Sequence, residues 1–383
     1  MRRKLPFLIL LAVYMTTITG CWNYREINQF SIVAGTAVDR GENGKYIFTF
    51  EIIDLHEGGR DARINSKLVK SEGDTLFDAI RNALKFIAPR LYFGHMDIVI
   101  VSEDIAREGI AELLNFLSRD QEPRLTIDLL VSREKTAMEI LNSQGILTNI
   151  RSFEISEMLE AQRNALKAPE VKAYQFINNL PCQGVAPFLP AVYSDENAGV
   201  KTSEISGMAI FNEDKLAGFI DEEETKYFHF IINKVKGGLL ILKSIPGDDK
   251  LNATLEIFSS KTKVKPVYSD GKVSIELKIK TRVVFDEQGS DVDYTTEQGQ
   301  DMIEKEMAKL LEENIQKLIK KVQKEYDLDI FGFGRVIQSE RPDLWKEMEH
   351  DWRDLFRDLK VNVDAEIDIV DTGLLAKSIK VGS

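Results

Sequence analysis

Between residues 74 and 141 the chain alternates between stripes of helix length and short runs too uniformly apolar to face water. Asp74 is placed to cap a helix running through Lys85, with Leu76, Ile80, Ala83, Leu84 and Ile87 on one face. Met96 to Val101 reads as a buried strand. Ser102 then caps a helix carrying Ile105, Ile110, Leu113, Leu114 and Leu117. Leu125 to Val131 is a second buried strand, and Glu134 to Leu141 a further helix. Such alternation predicts an α/β layer in which at least two strands run parallel, because parallel neighbours need a crossover and a helix is the usual one. Upstream, Ser31–Val38 and Tyr46–Ile53 read as a hairpin across the turn-like stretch 39–44. The polar stretch from His56 to Lys70 contains Gly58 and Gly59 and reads as a mobile loop feeding a short strand. Downstream, a helical pair fills Phe153 to Leu180 before the chain breaks at Pro181, Pro187 and Pro190.

The remainder has a different texture. Gly207–Phe211 and Leu216–Ile220 flank a polar turn at Asn212–Lys215, and Asp221–Lys236 reads as a helix with acidic residues in its first turn, ended by Gly237 and Gly238. Ala253–Val267 and Lys272–Phe285 alternate apolar and charged residues, and Ser269-Asp270-Gly271 joins them as a hairpin. Thr295-Thr296-Glu297-Gln298 resembles a capping box, opening a helix to about Tyr326 with Ile303, Met307, Leu310, Leu311, Leu318, Ile319 and Val322 as its apolar stripe. A glycine-broken turn at 329–334, a helix over Pro342–Arg357 with Trp345 and Trp352, and a strand over Val361–Val370 complete the chain. The expected fold is therefore mixed α/β and α+β, elongated, with a C-terminal sheet covered by a long helix. The expected divisions are a signal segment over 1–20, a tether over 21–30, an N-terminal α/β domain over 31–195, a small middle α/β domain over 203–245 and a C-terminal α+β domain over 250–383.

The first twenty residues carry Arg2, Arg3 and Lys4, an apolar run from Leu5 to Tyr14, and a small-residue exit ending in Gly20. These are the three parts of a secretory signal, and the apolar run is shorter than the roughly 20 residues a membrane-spanning helix needs. Ile18-Thr19-Gly20-Cys21 resembles the bacterial lipobox. The resemblance implies cleavage between Gly20 and Cys21, a diacylglyceryl thioether on the Cys21 sulfur and an acyl group on its new amino terminus. A thiol is required there because its thiolate is the nucleophile that takes up lipid. Two acyl chains hold a protein to a bilayer where one gives only marginal binding.

Loss of Arg2, Arg3 and Lys4 takes the formal net charge from −12 to −15, which repels phosphate backbones and anionic lipid surfaces and argues against a nucleic-acid partner. With Cys21 lipidated, Cys182 has no cysteine left to pair with inside the chain. His56, His95, His229 and His350 stand far apart, none at metal-ligand spacing with another histidine or a cysteine, so neither metal nor cofactor is expected. Gly332-Phe333-Gly334-Arg335 lacks the full spacing of a dinucleotide loop and reads as a turn. His95, two residues before Asp97, reads as a hydrogen-bonded structural histidine, since a catalytic dyad would need a nucleophile that no motif supplies. Trp345 and Trp352 read as core, Asp221–Glu224 as a solvated helix start, and Lys317, Lys320, Lys321 and Lys324 as the polar face of the long helix. No enzymatic activity is expected.

One family resemblance runs through the mature chain in order. Gly20-Cys21-Trp22-Asn23-Tyr24-Arg25-Glu26-Ile27-Asn28 is similar to the start of the Ger(x)C lipoproteins, the C subunits of spore germinant receptors, with Asn23 where the family usually has Asp. Gly94-His95, Ile105–Ile110, Phe116–Asp120, Gly207–Phe211, Lys215–Gly218, Asp329–Gly334, Trp345 and Trp352 continue it. The resemblance implies three mixed α and β domains and a non-enzymatic, lipid-anchored subunit on the extracytoplasmic face of the inner spore membrane. Its implied partners are two integral membrane subunits, A and B, with any small-molecule germinant met indirectly. The competing expectation is a solute-binding lipoprotein of a transporter, which usually shows two similar α/β lobes.

Overall fold

The computed structural model describes residues 29–54, 64–269, 271–290 and 292–371. The signal segment, the cleavage pair Gly20 and Cys21, most of the tether and the greater part of the 56–70 loop lie outside the described residues.

The first sheet begins with β1 (Phe30–Arg40), β2 (Tyr46–Asp54) and β3 (Asn65–Gly73), an antiparallel meander at one edge. Then come α1 (Leu76–Asn82), a 3₁₀ turn over Ala83–Lys85, β4 (Arg90–Tyr92), β5 (Ile98–Val101), α2 (Glu103–Glu108), α3 (Ala111–Arg119) and β6 (Asp128–Ser132). A short α4 (Met138–Leu141), then α5 (Arg151–Ala165) and α6 (Ala173–Asn179), lead to β7 (Phe188–Asn197), β8 (Val200–Asn212) and β9 (Lys215–Ile220). Strand order is β3-β2-β1-β5-β6-β7-β8-β9, with β4 beside the start of β1. The run β1-β5-β6-β7 is parallel, as the alternation predicted.

The central strand β5 is apolar at every position because both of its faces are covered. In β5, Ile98 and Ile100 enter one core with Ile140, Ile155 and Leu159 of α4 and α5. Val99 and Val101 enter the other, with Leu113 and Leu117 of α3 and Phe176 of α6. Gly35 of β1 lets α5 approach, since a Cβ there would sit 2.0 Å from the Ser152 Oγ.

The second sheet is β10 (Leu239–Ile245), β11 (Asp248–Ser269), β12 (Lys272–Gln288) and β13 (Lys360–Asp371), in that order. The helix α7 (Glu222–Ile231) precedes it. The long α8 (Glu297–Glu325) and the short α9 (Phe333–Glu340), α10 (Pro342–Met348) and α11 (Trp352–Arg357) lie between β12 and β13, which pair in parallel. Leu277 and Ile279 of β12 and Ile367 and Ile369 of β13 are buried with Ile303, Met307, Leu311 and Leu318 of α8. The intervening Lys278, Lys280, Glu366 and Asp368 face water, so one face is dry and the other solvated.

The two bodies share β8. Ala209 and Phe211 point into the core with α3 and α6, and Met208 and Ile210 into the core with α7 and α8. The limits expected at 195 and 203 fall inside the β7–β8 hairpin, whose strands pair from Phe188↔Ile210 to Asn197↔Val200.

Several local expectations are corrected. Thr75, not Asp74, caps α1, its hydroxyl accepting from Asp78 N, and the buried stripe is Leu76, Ala79 and Ala83 while Leu84 faces solvent. The helix expected after Ser102 is two helices, broken at Gly109 with φ +126°. The helix expected from Glu134 begins only at Met138, because Glu134 turns away to accept from Ser194 N. Pro187 precedes β7 and Pro190 lies within it, so the chain continues as a strand rather than breaking; Pro190 sits beside the point where the β7–β8 register shifts. The helix from Asp221 ends at Ile231, with Asn233 at φ +57°. Thr296, not Thr295, caps α8, while the Thr295 hydroxyl turns back to Asp293. The strand β10 had no counterpart in the sequence reading.

Candidate functional site

The segment after α8 closes the molecule. Asp329 is buried, and its carboxylate accepts from Phe331 N (3.1 Å), Gly332 N (2.8 Å), Gly334 N (2.8 Å) and Trp352 Nε1 (3.2 Å). Burial pushes its pKa up to about 6 against the pull of those donors. Gly332 takes φ +75°, which turns successive N–H groups onto one carboxylate. Gly334 has no room for a side chain: a Cβ would lie 2.7 Å from the Gly184 Cα and 2.8 Å from the rings of Trp345 and Trp352. Those two rings pack edge to face at 5.3 Å.

This turn grips the segment leaving α6. Ala186 N donates to Asp329 O (2.7 Å), Arg335 N donates to Gly184 O (3.0 Å), and the Arg335 guanidinium donates to Asn179 Oδ1 (2.8 Å) and lies 3.2 Å from the Cys182 Sγ. Beside the grip is an open cleft of about 270 Å³ lined by Cys182, Pro187, Glu213, His350, Trp352 and Arg353 among others. It brings together a thiol, a histidine and acids, but without catalytic order. The Cys182 thiol donates to Asn178 O (3.3 Å), and the exposed His350 lies 3.8 Å from the Glu349 carboxylate. The arrangement is a clasp between the two bodies.

A second buried polar cluster fixes α5 to the first sheet. The Glu51 carboxylate of β2 accepts from Arg151 N and Ser152 N (both 2.7 Å) at the helix start, and from Ser66 Oγ (2.6 Å). Glu154 accepts from the Arg151 guanidinium (2.7 Å) and from Ile146 N and Leu147 N (both 3.0 Å). Every buried charge there has a partner, which makes the cluster structural.

The other singled-out residues remain dispersed. His95 is exposed and meets the Tyr92 ring edge-on at 5.9 Å; instead of the expected hydrogen bond, it has this ring contact. Asp97 is held above the usual carboxylate range by burial. His229, held down to about 4 by burial, donates from Nε2 to Ala168 O (3.2 Å) and leaves Nδ1 without a partner. Trp345 and Trp352 are core, as expected. The acidic start of α7 is only partly solvated, since Glu224 pairs with Lys321 of α8 at 2.7 Å. Lys317, Lys320 and Lys324 are exposed on the polar face of α8. Among the described residues, no group of three or more His, Cys, Asp or Glu is placed to hold a metal ion, and no helix is long and apolar enough to cross a membrane. Cys21 lies outside the described residues. The sequence reading missed Asp329, whose signal is an acid three residues before a glycine in a turn. It also missed Gln323, whose buried amide donates to Phe356 O and Leu359 O (both 2.8 Å), and nothing in helical periodicity marks that role.

Comparison with known proteins places these features in a family. Residues 23–193 match the family model described as "Spore germination protein N-terminal domain", and residues 206–373 match "Spore germination B3/ GerAC like, C-terminal". The chain is 26% identical to spore germination protein KC of Bacillus subtilis (strain 168), over 99% of this chain and 98% of that protein. It is 24% identical to spore germination protein B3 of the same strain (97% of each chain), and 23% identical to spore germination protein GerQC of Bacillus cereus (98% of this chain and 99% of that one). The crystal structure of the GerBC protein superposes with a TM-score of 0.57 at 20% identity, covering 88% of this chain and 97% of that one, and shows the same fold.

Proposed function

The chain belongs to the spore germination GerAC family, and from that premise we propose that it is the lipid-anchored C subunit of a spore nutrient germinant receptor. The observation that carries the reading is the end-to-end match: both family models fit in order, and the curated relatives align over nearly their whole length. In this reading the signal is cleaved between Gly20 and Cys21, and Cys21 carries the diacylglyceryl thioether and an N-acyl chain. The protein then stands on the extracytoplasmic face of the inner spore membrane beside the integral A and B subunits. It performs no chemistry and holds no cofactor; it acts by assembly. The clasp at Asp329 supports this, because a subunit that holds partners in one arrangement needs its own two bodies fixed. The two sheets differ in strand number and direction, which disfavours the paired similar lobes of a solute-binding protein.

Deletion of the gene tests the reading. The mutant spore is expected to lose its response to one set of nutrients and to keep its response to a trigger that bypasses nutrient receptors, read as loss of refractility. An unchanged response to every nutrient, in a strain without a sister receptor, would refute it.

A further inference from the structure

The helix α1 is apolar over more of its circumference than the core uses. Leu76, Ala79 and Ala83 are buried. One residue on, Ile80 and Ile87 pack against the same core and Phe77 meets the Phe116 ring edge-on at 4.9 Å, whereas Leu84 and Phe86, in the turn that follows α1, stand in water. Phe77 is 51% exposed, Leu84 49% and Phe86 70%, a concentration of bare large apolar side chains that single scattered ones do not match. Arg81 and Lys85 flank them, both exposed.

The position of this face says what covers it. The parallel pairing of β4 with β1 sets Arg90 beside Phe30, the first residue of the first strand. Phe86 is four residues before Arg90, a reach of at most about 14 Å, and Arg90 lies one strand spacing of about 5 Å from Phe30, so Phe86 is within about 20 Å of the point where the chain enters the fold. Cys21 is nine residues before Phe30, a reach of at most about 32 Å when fully extended. An anchor at Cys21 therefore keeps this end of the molecule, and no other by covalent necessity, close to lipid. Large apolar side chains bordered by exposed Arg and Lys suit the boundary between headgroups and acyl chains: the rings and Leu84 leave water, and the cations meet anionic headgroups while their stems lie on the apolar layer. The chain's overall negative charge opposes adsorption elsewhere on its surface.

We propose that Phe77, Leu84 and Phe86, with Arg81 and Lys85 beside them, form a membrane-docking face that enters the interface of the bilayer carrying the anchor. The proposal rests on the lipid-anchor reading of Cys21 for its geometry. Docking at a second point adds to the covalent anchor and fixes the stance of the fold, so that the first sheet presents a constant face to membrane partners.

The test uses the full-length protein, purified from membranes and reconstituted into vesicles of phosphatidylglycerol and phosphatidylethanolamine, in a Cys182→Ser background. An environment-sensitive dye is placed at Leu84→Cys or Phe86→Cys, and at Phe258→Cys as the comparison, since Phe258 is 62% exposed on the outer face of the second sheet. Brominated acyl chains should quench the dyes at 84 and 86 at least about threefold more than the dye at 258. Equal quenching at the three sites would overturn the proposal. Intact mass of the same sample reports the anchor separately: lipid mass with an unquenched dye at 86 overturns docking and leaves the anchor standing, whereas quenching without lipid mass supports docking and overturns the anchor. In native membranes, a dye at 86 shielded from aqueous iodide yet untouched by brominated lipid would mean that a protein covers this face, which also overturns the proposal. As an independent arm, Leu84→Ser/Phe86→Ser added to a Cys21→Ala chain should lower vesicle partitioning about tenfold relative to Cys21→Ala alone; no change counts against docking.

Discussion

The two sheets solve the same problem in opposite ways. In the first, helices cover both faces, and Ile98, Val99, Ile100 and Val101 are all buried. In the second, α8 covers one face, and β12 alternates buried Ile275, Leu277 and Ile279 with exposed Lys278 and Lys280. The difference is written in period: a continuous apolar run for the sandwiched strand, a strict alternation for the half-solvated one. It also separates where the molecule tolerates change. The clasp at Asp329 and Gly334 belongs to neither pattern and couples the two.

The largest expected effect is therefore at the clasp. Asp329→Ala removes one carboxylate from four donors and leaves them buried, and Gly334→Ala forces a methyl into the backbone of Gly184. Asp329→Ala should cost on the order of 4 kcal/mol, the range for stranding buried partners of a charge, and Gly334→Ala about 1–3 kcal/mol, the range for forcing a methyl into a packed site. Chemical denaturation followed by tryptophan fluorescence checks this, because Trp345 and Trp352 report on the clasp itself. A single transition at the parental midpoint would show that the two bodies do not depend on it.

Next in size is a scan that sharpens the contrast of period. Val99→Ala and Ile100→Ala should both destabilise, by about 1–4 kcal/mol, because adjacent residues of β5 enter different cores. In β12, Leu277→Ala should cost about 2–4 kcal/mol, whereas Lys278→Ala should leave the denaturation midpoint within error. If Val99 and Ile100 alternated between costly and free as Leu277 and Lys278 do, the two-sided covering of the first sheet would be wrong.

Much of this was legible because period survives in a single sequence. The parallel run, the long hairpin of β11 and β12, and the buried stripe of α8 all follow from it. What was not legible depends on partners distant in the chain. The strand β10 reads as an ordinary short apolar stretch until β11 is there to pair with it. The β7–β8 hairpin that spans Asp195–Val200 likewise pairs residues whose neighbours in two cores no local pattern announces. In α1 and the 3₁₀ turn after it, Leu84 fits the expected stripe as well as Ala79 does; only packing leaves Leu84 in water and buries Ala79. The caps at Thr75 and Thr296 each lie one residue from the expected position, because neighbouring polar residues compete and local geometry chooses.

A third expectation concerns pH. His229 sits between α7 and the 166–168 segment with its pKa held down to about 4 by burial. The unfolded chain, with its histidine near 6.5, binds more protons than the folded one between those values. Stability from this group is therefore full above about 6.5 and lost as pH falls towards 4, by about 3 kcal/mol in all. Asp128 and Asp329, both raised to about 6 by burial, work the other way: they favour the fold at acid pH and lose that contribution as pH rises through 6. The histidine's part is isolated by subtracting the stability of His229→Gln from that of the parent at each pH. The difference should shrink as pH drops from 6.5 to 4, and a difference that stays flat would mean the ring is charged or solvated in the fold.

The smallest effect is expected on the open face of the second sheet, and it tests the contrast from the other side. Three ion pairs step along the parallel strands β12 and β13: Lys278 with Asp364 at 3.9 Å, Lys280 with Glu366 at 2.5 Å, and Arg282 with Asp368 at 3.6 Å. All six side chains are more than half exposed, so water and salt screen them, and holding long side chains in place offsets the attraction. If the ladder matters at all, it matters for register: parallel strands slipped by one residue would bring apolar side chains to the wet face, and by two would misalign the charges. The core side already fixes that register through Leu277, Ile279, Ile367 and Ile369. Neutralising the ladder with Lys278→Gln, Lys280→Gln and Arg282→Gln together should thus move the melting temperature by no more than about 2 °C, with the shift vanishing by about 0.5 M salt. A larger shift that persists in high salt would place real stabilising weight on a face that the alternation of β12 marks as open, and would make the second sheet resemble the first more closely than its sequence suggests.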